Sequence, residues 1–177
     1  VESVGLLAAS KALGAADQAG LERWFADYAR WMQTSPTGRE ERAATNNHGI
    51  WYDYQLATFA LFARDEALAR KVIAQVGDKR IAPQVAPDGG LPEELKRTRA
   101  LHYSYFALEP LVGLADLGRC VGVDVWGYQT KDGRSLRKAL AFLAPYAGRE
   151  ASFPYKEMNP AGAAGEGAPL FTLAAWA

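Results

Sequence analysis

The chain has 177 residues, about the length of one domain and enough to bury a substantial core. Lys and Arg together number 20, as do Asp and Glu, so no overall electrostatic field would gather nucleic acid or an anionic membrane. An acidic ligand would therefore need a local basic cleft, and the single cysteine, Cys120, excludes an internal disulfide and a cysteine-cluster metal site.

The first predicted elements are an amphipathic helix and a fully buried one. Apolar residues spaced as on one helix face predict a helix over about residues 21–32, followed by a break at Pro36 and Gly38. The segment from about His48 to Ala63 is apolar on most faces. Such a helix must be surrounded by protein.

A second buried helix follows after a more polar stretch. A charged helix is predicted from about Asp65 to Val76, and the Pro- and Gly-rich segment from about Gly77 to Pro92 is loop by composition. The second apolar helix is predicted from about Thr98 to Leu117, with a bend at Pro110. Further helices are predicted from about Ser135 to Tyr146 and over the last dozen residues, with a flexible stretch from Asn159 to Gly167.

Buried helices that alternate with amphipathic ones predict an all-α protein. We expect helical hairpins arranged in two layers, an inner ring and an outer ring. Sequence similarity between the hairpins is too weak to define a repeat, and a simple helical bundle is the alternative. No stretch is apolar for long enough to cross a bilayer, so no membrane span is predicted.

The start of the chain shows no visible signal peptide. Residues 1–5 contain no basic segment followed by an apolar one. The first residue is Val1 rather than Met, from which we expect that a leader or a longer segment has been removed.

Asn46, Asn47 and His48 stand where a polar segment turns into the first buried helix. In the simpler interpretation, one of the Asn residues caps the helix and His48 is a surface or core residue. In the functional interpretation, the N–H groups of the helix start, an amide and the imidazole together hold a substrate carboxylate. This motif by itself leaves both interpretations open.

Basic residues lead into the second buried helix, which displays a tyrosine. Arg99 and Tyr103 are one helical turn apart and share a face, although a charged helix start with a core tyrosine is the alternative. In the segment between the two buried helices, Arg80 and Gln84 are candidates for contact with an acidic sugar. The simpler interpretation is that they are solvated loop residues.

Asn, His, Arg and Tyr at two helix starts suit β-elimination on a polyuronate. In that reaction the proton at C5 is removed and the C4 oxygen is expelled. Cationic and amide donors neutralise the adjacent carboxylate and stabilise the enolate-like transition state. A base must approach C5 and an acid must protonate the leaving oxygen, and a tyrosine beside cationic groups can supply both. The scheme needs no metal and no other cofactor.

Four ordered motifs resemble the alginate lyase family. Asn46-Asn47-His48-Gly49-Ile50-Trp51-Tyr52 is similar to the family's Asn-Asn-His-Gly/Ser signature. Residues 97–104 and 106–111 resemble its second signature, and residues 80–94 and 122–128 are similar to two further stretches. The resemblance covers about residues 28–155.

This resemblance implies an incomplete (α/α) toroid and lyase activity on alginate or a related polyuronate such as glucuronan. It also implies an acidic polysaccharide as the partner and a periplasmic or secreted location. Family members are about twice this length, so we expect residues 1–177 to form one partial helical domain without the family's N-terminal helices. Exposed inner-helix surface would then favour an oligomer or a larger parent chain.

By position, the resemblance implies that Asn47 and His48 neutralise the carboxylate and assist at C5, while Tyr103 serves as base, acid or both. Arg97 is the predicted catalytic cation, with Lys96 and Arg99 as the alternatives. The predicted substrate-binding residues are Asn46, Trp51, Tyr52, Arg80, Gln84, Arg99, His102 and Tyr105.

Two other functions stay open at the level of sequence. The first is a glycan-binding module without catalysis, left over from a truncated lyase. The second is a glycoside hydrolase that uses carboxylates such as Asp53 and Glu94. Hydrolases need two carboxyl groups that flank the bond, and because no such pair is conspicuous this function ranks last.

Overall fold

The computed structural model describes Val4 and residues 13–175, with side chains described as far as Thr172. Across these residues the chain is helical without a β-strand, and an isolated bridge pairs Arg99 with Glu157. The predicted all-α class is confirmed. The expectation of a removed leader falls on residues 1–5, which apart from Val4 lie outside the described residues.

The helices in chain order are α1 (Ala15–Thr34), α2 (Pro36–Ala43), α3 (Asn47–Phe62), α4 (Glu66–Ile73), α5 (Ala82–Gln84), α6 (Pro92–Leu95), α7 (Ala100–Cys120), α8 (Leu136–Leu143), α9 (Pro160–Ala163) and α10 (Gly167–Ala175). A π-helical turn, Gly77–Ile81, leads directly into α5, and 3-10 turns follow α8 at Ala144–Tyr146 and Glu150–Ser152. In the described part of the chain no helix is both long and apolar enough to span a membrane.

The predicted break lies at Ser35, directly before Pro36, whereas Gly38 lies inside the next helix and does not interrupt it. A proline at the first helical position loses only an N–H group that has no partner within the helix. The Ser35 hydroxyl accepts a hydrogen bond from the Gly38 N–H at 3.0 Å and caps α2. The interruption between α1 and α2 is therefore confined to the extended backbone of Ser35.

Half of the segment predicted as a loop is helical. Gly77 to Gln84 forms the π-helical turn and α5, and only the residues after Gln84 are irregular before α6. The Pro- and Gly-rich composition favours a loop, but Ile81 is fully buried and holds this segment against the core. Tertiary packing therefore outweighs the local preference of the composition. Gly77 allows a close approach here, since a Cβ at this position would collide with the ring of Tyr128.

The main core surrounds α7, with a smaller cluster between α1 and α3. Leu101, Leu108 and Leu111 of α7 are inaccessible to solvent and belong to the main core. Met32 of α1 packs with Tyr52 and Leu56 of α3 in the smaller cluster. The apolar stripe predicted for α1 is only partly covered, because its residue Trp24 is 57% exposed.

The two buried helices α3 and α7 are packed neighbours that run in the same direction. The Trp51 Nε1–H donates to the Phe106 carbonyl oxygen at 3.0 Å. Further along both helices, the Tyr54 ring lies so close to Gly113 that an added Cβ would come within 2.5 Å of it. Earlier residues of α3 thus contact earlier residues of α7, and later residues contact later ones. The two helices are therefore parallel, and their starts lie at the same end of the molecule.

Helix α1 runs in the opposite direction to α3. Near its end, the Met32 carbonyl oxygen accepts a hydrogen bond from the Tyr52 hydroxyl at 3.1 Å, close to the start of α3. Earlier in α1, the Phe25 ring lies 5.0 Å from the ring of Phe62, the last residue of α3. The end of α1 is thus placed beside the starts of α3 and α7.

Candidate active site

An aromatic cavity of about 560 Å³ opens where α1 ends and α3 begins. Four helices contribute to its wall, with α7 represented by Phe106. Its lining residues are Tyr28, Trp31, Met32, Thr37, Gly38, Glu41, Asn47, His48, Trp51, Tyr52, Gln55 and Phe106. The cavity therefore brings the Asn47–His48 motif together with several exposed or half-buried rings.

Asn47 is anchored by a buried carboxylate. Its backbone N–H donates to Glu94 Oε1 at 2.7 Å, and its side-chain Nδ2 lies 3.0 Å from both Glu94 oxygens. Glu94 is 1% exposed, so these bonds supply the polar partners that a buried carboxylate requires. The contact ties the start of α3 to α6, the turn that leads into α7.

Asn46 caps α3, as the simpler interpretation of the motif predicted. Its side-chain oxygen accepts a hydrogen bond from the His48 N–H at 3.2 Å. Helix capping therefore uses Asn46 and leaves the neighbouring Asn47 amide for Glu94. The two adjacent asparagines have different structural tasks.

We expect Glu94→Gln to lower the free energy of unfolding by about 1.5–3 kcal/mol, which is typical for hydrogen bonds to a charged acceptor. The amide can accept on only one of its two atoms, so the donors of Asn47 lose part of their acceptor. Denaturant unfolding measures this change. The matched control is Glu93→Gln, an exposed neighbour that pairs with Lys96, for which we expect less than about 0.5 kcal/mol. Equal effects of the two substitutions would contradict the anchoring role.

His48 is exposed and oriented by a carboxylate of α2. Its Nδ1 lies 2.8 Å from Glu41 Oε2. An ionised carboxylate only accepts hydrogen bonds, so Nδ1 carries the hydrogen in this contact. Among the described residues no side chain bonds to Nε2, and this nitrogen is therefore the one that a ligand can reach.

Tyr103 lies beneath a guanidinium group near the start of α7. The Arg97 Cζ is 3.8 Å from the centroid of the Tyr103 ring, in cation–π geometry. Arg97 forms no ion pair with any described residue. Its positive charge is therefore placed over the phenol without a protein counter-ion.

The two alternative cations are both engaged by carboxylates. Lys96 Nζ is 2.5 Å from Glu93 Oε1 on the surface. Arg99 Nε lies 3.8 Å from Glu157 Oε1, and its Nη2 lies 3.9 Å from Glu166 Oε1. Arg97 therefore differs from both of them in having an uncompensated charge.

His48 and Tyr103 occupy corresponding positions on parallel neighbouring helices. Tyr103 itself does not line the aromatic cavity. The rings of Trp51 and Phe106 are 5.0 Å apart, and each ring lies three residues after one of the two candidate residues. His48 and Tyr103 each lie about one helical turn before these contacting rings, so they occupy the same height along the two helix axes. Packed helix axes lie about 8–10 Å apart, so both residues belong to the same end of the molecule.

Arg80 is buried rather than exposed on a solvated loop. It is 4% exposed, and its Nε donates to Asp53 Oδ2 at 2.6 Å. Its Nη1 and Nη2 donate to the carbonyl oxygens of Ala44 and Arg42 at 3.0 and 2.9 Å. A Cβ at Gly49 would collide with this guanidinium, so the glycine of the first motif makes room for Arg80.

Two more of the predicted substrate contacts are also buried. Gln84 is buried, so it is not a solvated loop residue, and its Nε2 has no hydrogen-bond partner among the described residues. Tyr105 is buried beside Gly167, with a hydroxyl that likewise lacks a described partner. Burial raises the pKa of Tyr105 to about 12. Both side chains are therefore withdrawn from the surface of the protein.

The remaining predicted substrate-binding residues, Trp51, Tyr52 and His102, each form a hydrogen bond within the protein. Trp51 lines the aromatic cavity while its Nε1–H is bonded to Phe106. Tyr52 also lines it, but the ring is buried and burial raises the pKa of its hydroxyl, which donates to Met32. His102 bonds through Nδ1 to Glu166 Oε2 at 2.8 Å.

The sequence interpretation missed the wall that α1 and α2 contribute. Tyr28, Trp31 and Glu41 line the aromatic cavity with His48. The sequence interpretation places Tyr28 on the apolar face of the first helix and gives Trp31 no role, although large rings three residues apart on a partly exposed helix are a usable signal. Glu41 has no such signal, because it meets His48 only after the chain turns at residues 44–46.

Both carboxylates of the hydrolase alternative are engaged in the structure. Asp53 pairs with Arg80, and Glu94 holds Asn47. Neither lines the aromatic cavity with His48, so this arrangement does not favour a hydrolase.

Comparison with known proteins identifies the family. The sequence profile named alginate lyase matches residues 1–153, which is most of the chain. The chain belongs to the alginate lyase family. The resemblance to this family that the sequence motifs indicated is thereby confirmed.

Individual alginate lyases are similar over part of their length. A Pseudomonas syringae alginate lyase is 32% identical over 106 residues, which are 59% of this chain and 27% of that relative. A Cobetia marina alginate lyase is 33% identical over 106 residues, 59% of this chain and 28% of the relative. A polysaccharide lyase of Stenotrophomonas maltophilia is 36% identical over 80 residues, 45% of this chain and 24% of the relative.

The family fold is also seen in a crystal structure of an alginate lyase from Bacteroides ovatus. That structure superimposes with a TM-score of 0.92 at 36% sequence identity, and the match covers 97% of this chain but 46% of the other. The chain thus spans less than half of this alginate lyase structure and about a quarter of the curated relatives.

Proposed function

We propose that this chain carries the catalytic part of a polysaccharide lyase that cleaves alginate or a related polyuronate, such as glucuronan, by β-elimination. The observation that supports the proposal is the pairing of two parallel helix starts, one with His48 and the other with Tyr103 beneath the Arg97 guanidinium, and we propose that the sugar chain lies between them. The relatives support the substrate class, since they are alginate lyases and a polysaccharide lyase.

The proposed roles follow from charge and geometry. Arg97 neutralises the sugar carboxylate, because its guanidinium forms no ion pair with any described residue, and His48 contacts the same sugar through Nε2, since Nδ1 is held by Glu41. Asn47 contributes its position at the start of α3, which Glu94 holds in place. Donors fixed in this way are effective because they need no reorganisation while negative charge develops on the sugar.

Tyr103 is the proposed base and acid. The Tyr103 side chain, which lies beneath the positive Arg97 guanidinium, takes the hydrogen at C5 on its phenolic oxygen. The electron pair released at C5 forms the C4–C5 double bond and expels the C4 oxygen. The phenol then returns its proton to that oxygen, so the enzyme ends in its starting protonation state. The proposed reaction uses no metal and no cofactor.

The aromatic cavity is the proposed binding site for neighbouring sugar units. Trp31 is half exposed and Phe106 is 38% exposed, so both offer flat faces to a sugar ring beside His48. Arg80, Gln84 and Tyr105 are assigned to the support of the site instead of to direct contact, because all three are buried.

We extend the proposal to architecture and location. The parallel pair α3 and α7, flanked by the antiparallel α1, matches the inner and outer helices of an incomplete (α/α) toroid. Because the chain corresponds to 46% of the Bacteroides ovatus structure, a larger parent chain or a second chain would complete the cleft. A periplasmic or secreted location fits an enzyme that acts on an extracellular polysaccharide.

The same coverage favours one second candidate, an acidic-glycan-binding region without catalysis. A groove with only one wall can bind a sugar chain and still fail to exclude water and orient C5. The two functions differ in their products, because binding alone forms no new double bond.

The test is incubation with alginate and glucuronan, followed by ultraviolet absorbance of the unsaturated sugar end. We expect absorbance to rise, and we expect a chelator to leave the rate unchanged. Binding without absorbance would establish the second candidate. Saturated reducing ends as the sole products would contradict β-elimination and indicate hydrolysis.

A further inference from the structure

A second cavity, here called the basic pocket, lies on the other face of α2 from the aromatic cavity. Thr37 and Glu41 of α2 line the aromatic cavity, whereas Arg39 and Arg42 line the basic pocket. The basic pocket has a volume of about 370 Å³ and lies between α2, the middle of α3 and the end of α4. Small-molecule sites typically occupy about 300–1,000 Å³, so this volume is sufficient for a ligand.

The basic pocket has an excess of positive charge. Its charged lining consists of Arg39, Arg42, Lys71, Lys79 and the Arg80–Asp53 pair. Arg80 and Asp53 neutralise each other in a buried salt bridge at 2.6 Å. The other four side chains are exposed, and in the described part of the chain none of them forms an ion pair. Four cations thus share one concave surface in a chain whose net charge is zero.

The polar lining completes a site for oxyanions. Gln33, Thr45 and Gln75 place amide and hydroxyl groups among the cations. Leu56 and Val72 supply apolar surface to the same cavity. A concave surface lined by positive charges raises the local concentration of an anion. The low dielectric constant of the protein beneath that surface strengthens the attraction between the anion and the cationic side chains.

We propose that the basic pocket binds carboxylate groups of an acidic glycan at a position separate from the catalytic groove. This inference rests on the proposed function for its choice of glycan. Thr45 lines the basic pocket and Asn47 lines the aromatic cavity, so the two sites are separated by only two residues of chain. A polyuronate chain that passes around α2 would contact both sites. Free phosphate carries the same oxyanion chemistry and is the competing ligand.

The test compares two double substitutions that each remove two positive charges. Lys71→Gln with Lys79→Gln removes charge from the basic pocket, and Lys131→Gln with Lys138→Gln removes charge from exposed positions outside it. Calorimetry with a uronate oligomer long enough to span both sites measures the affinity at low and at high salt. We expect at least a fivefold loss of affinity for the first variant at low salt, a smaller difference at high salt, and little change for the control.

Equal affinities of the two double variants would overturn the basic pocket as a glycan site. A second titration uses inorganic phosphate. Binding of phosphate that depends on Lys71 and Lys79, without such dependence for the uronate oligomer, would also overturn the proposal and identify a phosphate site.

The affinity measurement needs no turnover, so its failure is distinct from failure of the lyase proposal. Absence of an unsaturated product from the unaltered chain would contradict lyase activity while the lysine-dependent binding could still be measured. We expect the Lys71→Gln, Lys79→Gln variant to keep its kcat on short oligomers and to show a raised KM on polymer. An unchanged KM on polymer would count against the basic pocket.

Discussion

Tyr103→Phe is expected to lower kcat on alginate by about 10²–10⁴-fold, the contribution typical of a positioned proton-transfer group. The substitution removes the hydroxyl that takes the C5 hydrogen and returns it to the C4 oxygen. It keeps the ring on which the Arg97 guanidinium rests at 3.8 Å, so the fold and the affinity for the glycan should change little. Product absorbance gives kcat, and denaturant unfolding checks that the variant is folded.

Tyr105→Phe is the matched control, two residues further along α7. The Tyr105 hydroxyl is buried without a described partner, and its pKa is raised to about 12 by burial. A group of this kind is a poor base near neutral pH, so we expect full activity and equal or slightly higher stability. Normal turnover by Tyr103→Phe would remove Tyr103 from the mechanism, and loss of activity by both variants would indicate a structural cause.

Arg80→Ala is expected to lower the free energy of unfolding by about 3–5 kcal/mol, the range for removing one partner of a buried ion pair. The change leaves Asp53 buried without its counter-ion at 2.6 Å. It also removes the donors to the Ala44 and Arg42 carbonyl oxygens, which hold the turn before α3. Urea unfolding measures the change through the shift of its midpoint.

Lys79→Gln is the control for this prediction, because Lys79 precedes Arg80 and is exposed. Exposed substitutions of this kind usually change stability by no more than about 0.5 kcal/mol. The comparison also separates two roles for Arg80. A variant that is as stable as the unaltered chain but has a raised KM would restore Arg80 as a direct substrate contact.

The buried helices could be predicted because their signal is local. The segments that become α3 and α7 are apolar on most faces, and such a pattern requires burial wherever the rest of the chain lies. Their observed limits, Asn47–Phe62 and Ala100–Cys120, differ from the predicted ones by only a few residues. Composition was a poorer guide around Arg80, where a Pro- and Gly-rich segment becomes helical because the core covers it.

The contacts that assemble the candidate site could not be predicted from the sequence. Glu94 meets Asn47 across 47 residues of chain, and Glu41 meets His48 only after the turn between α2 and α3. No periodicity or spacing encodes such a partner. The choice among Lys96, Arg97 and Arg99 likewise depended on which of them the folded chain supplies with a carboxylate.

The sequence by itself determined the helical class, the family and the candidate residues, because hydrophobic periodicity and short motifs are properties of neighbouring positions. Only the tertiary structure decided that α3 and α7 run parallel, that Arg80, Gln84 and Tyr105 are buried, and that Arg97 keeps an uncompensated charge. Burial, ion pairing and shared cavities depend on residues distant in the chain, and distances of that kind exist only after the helices have packed.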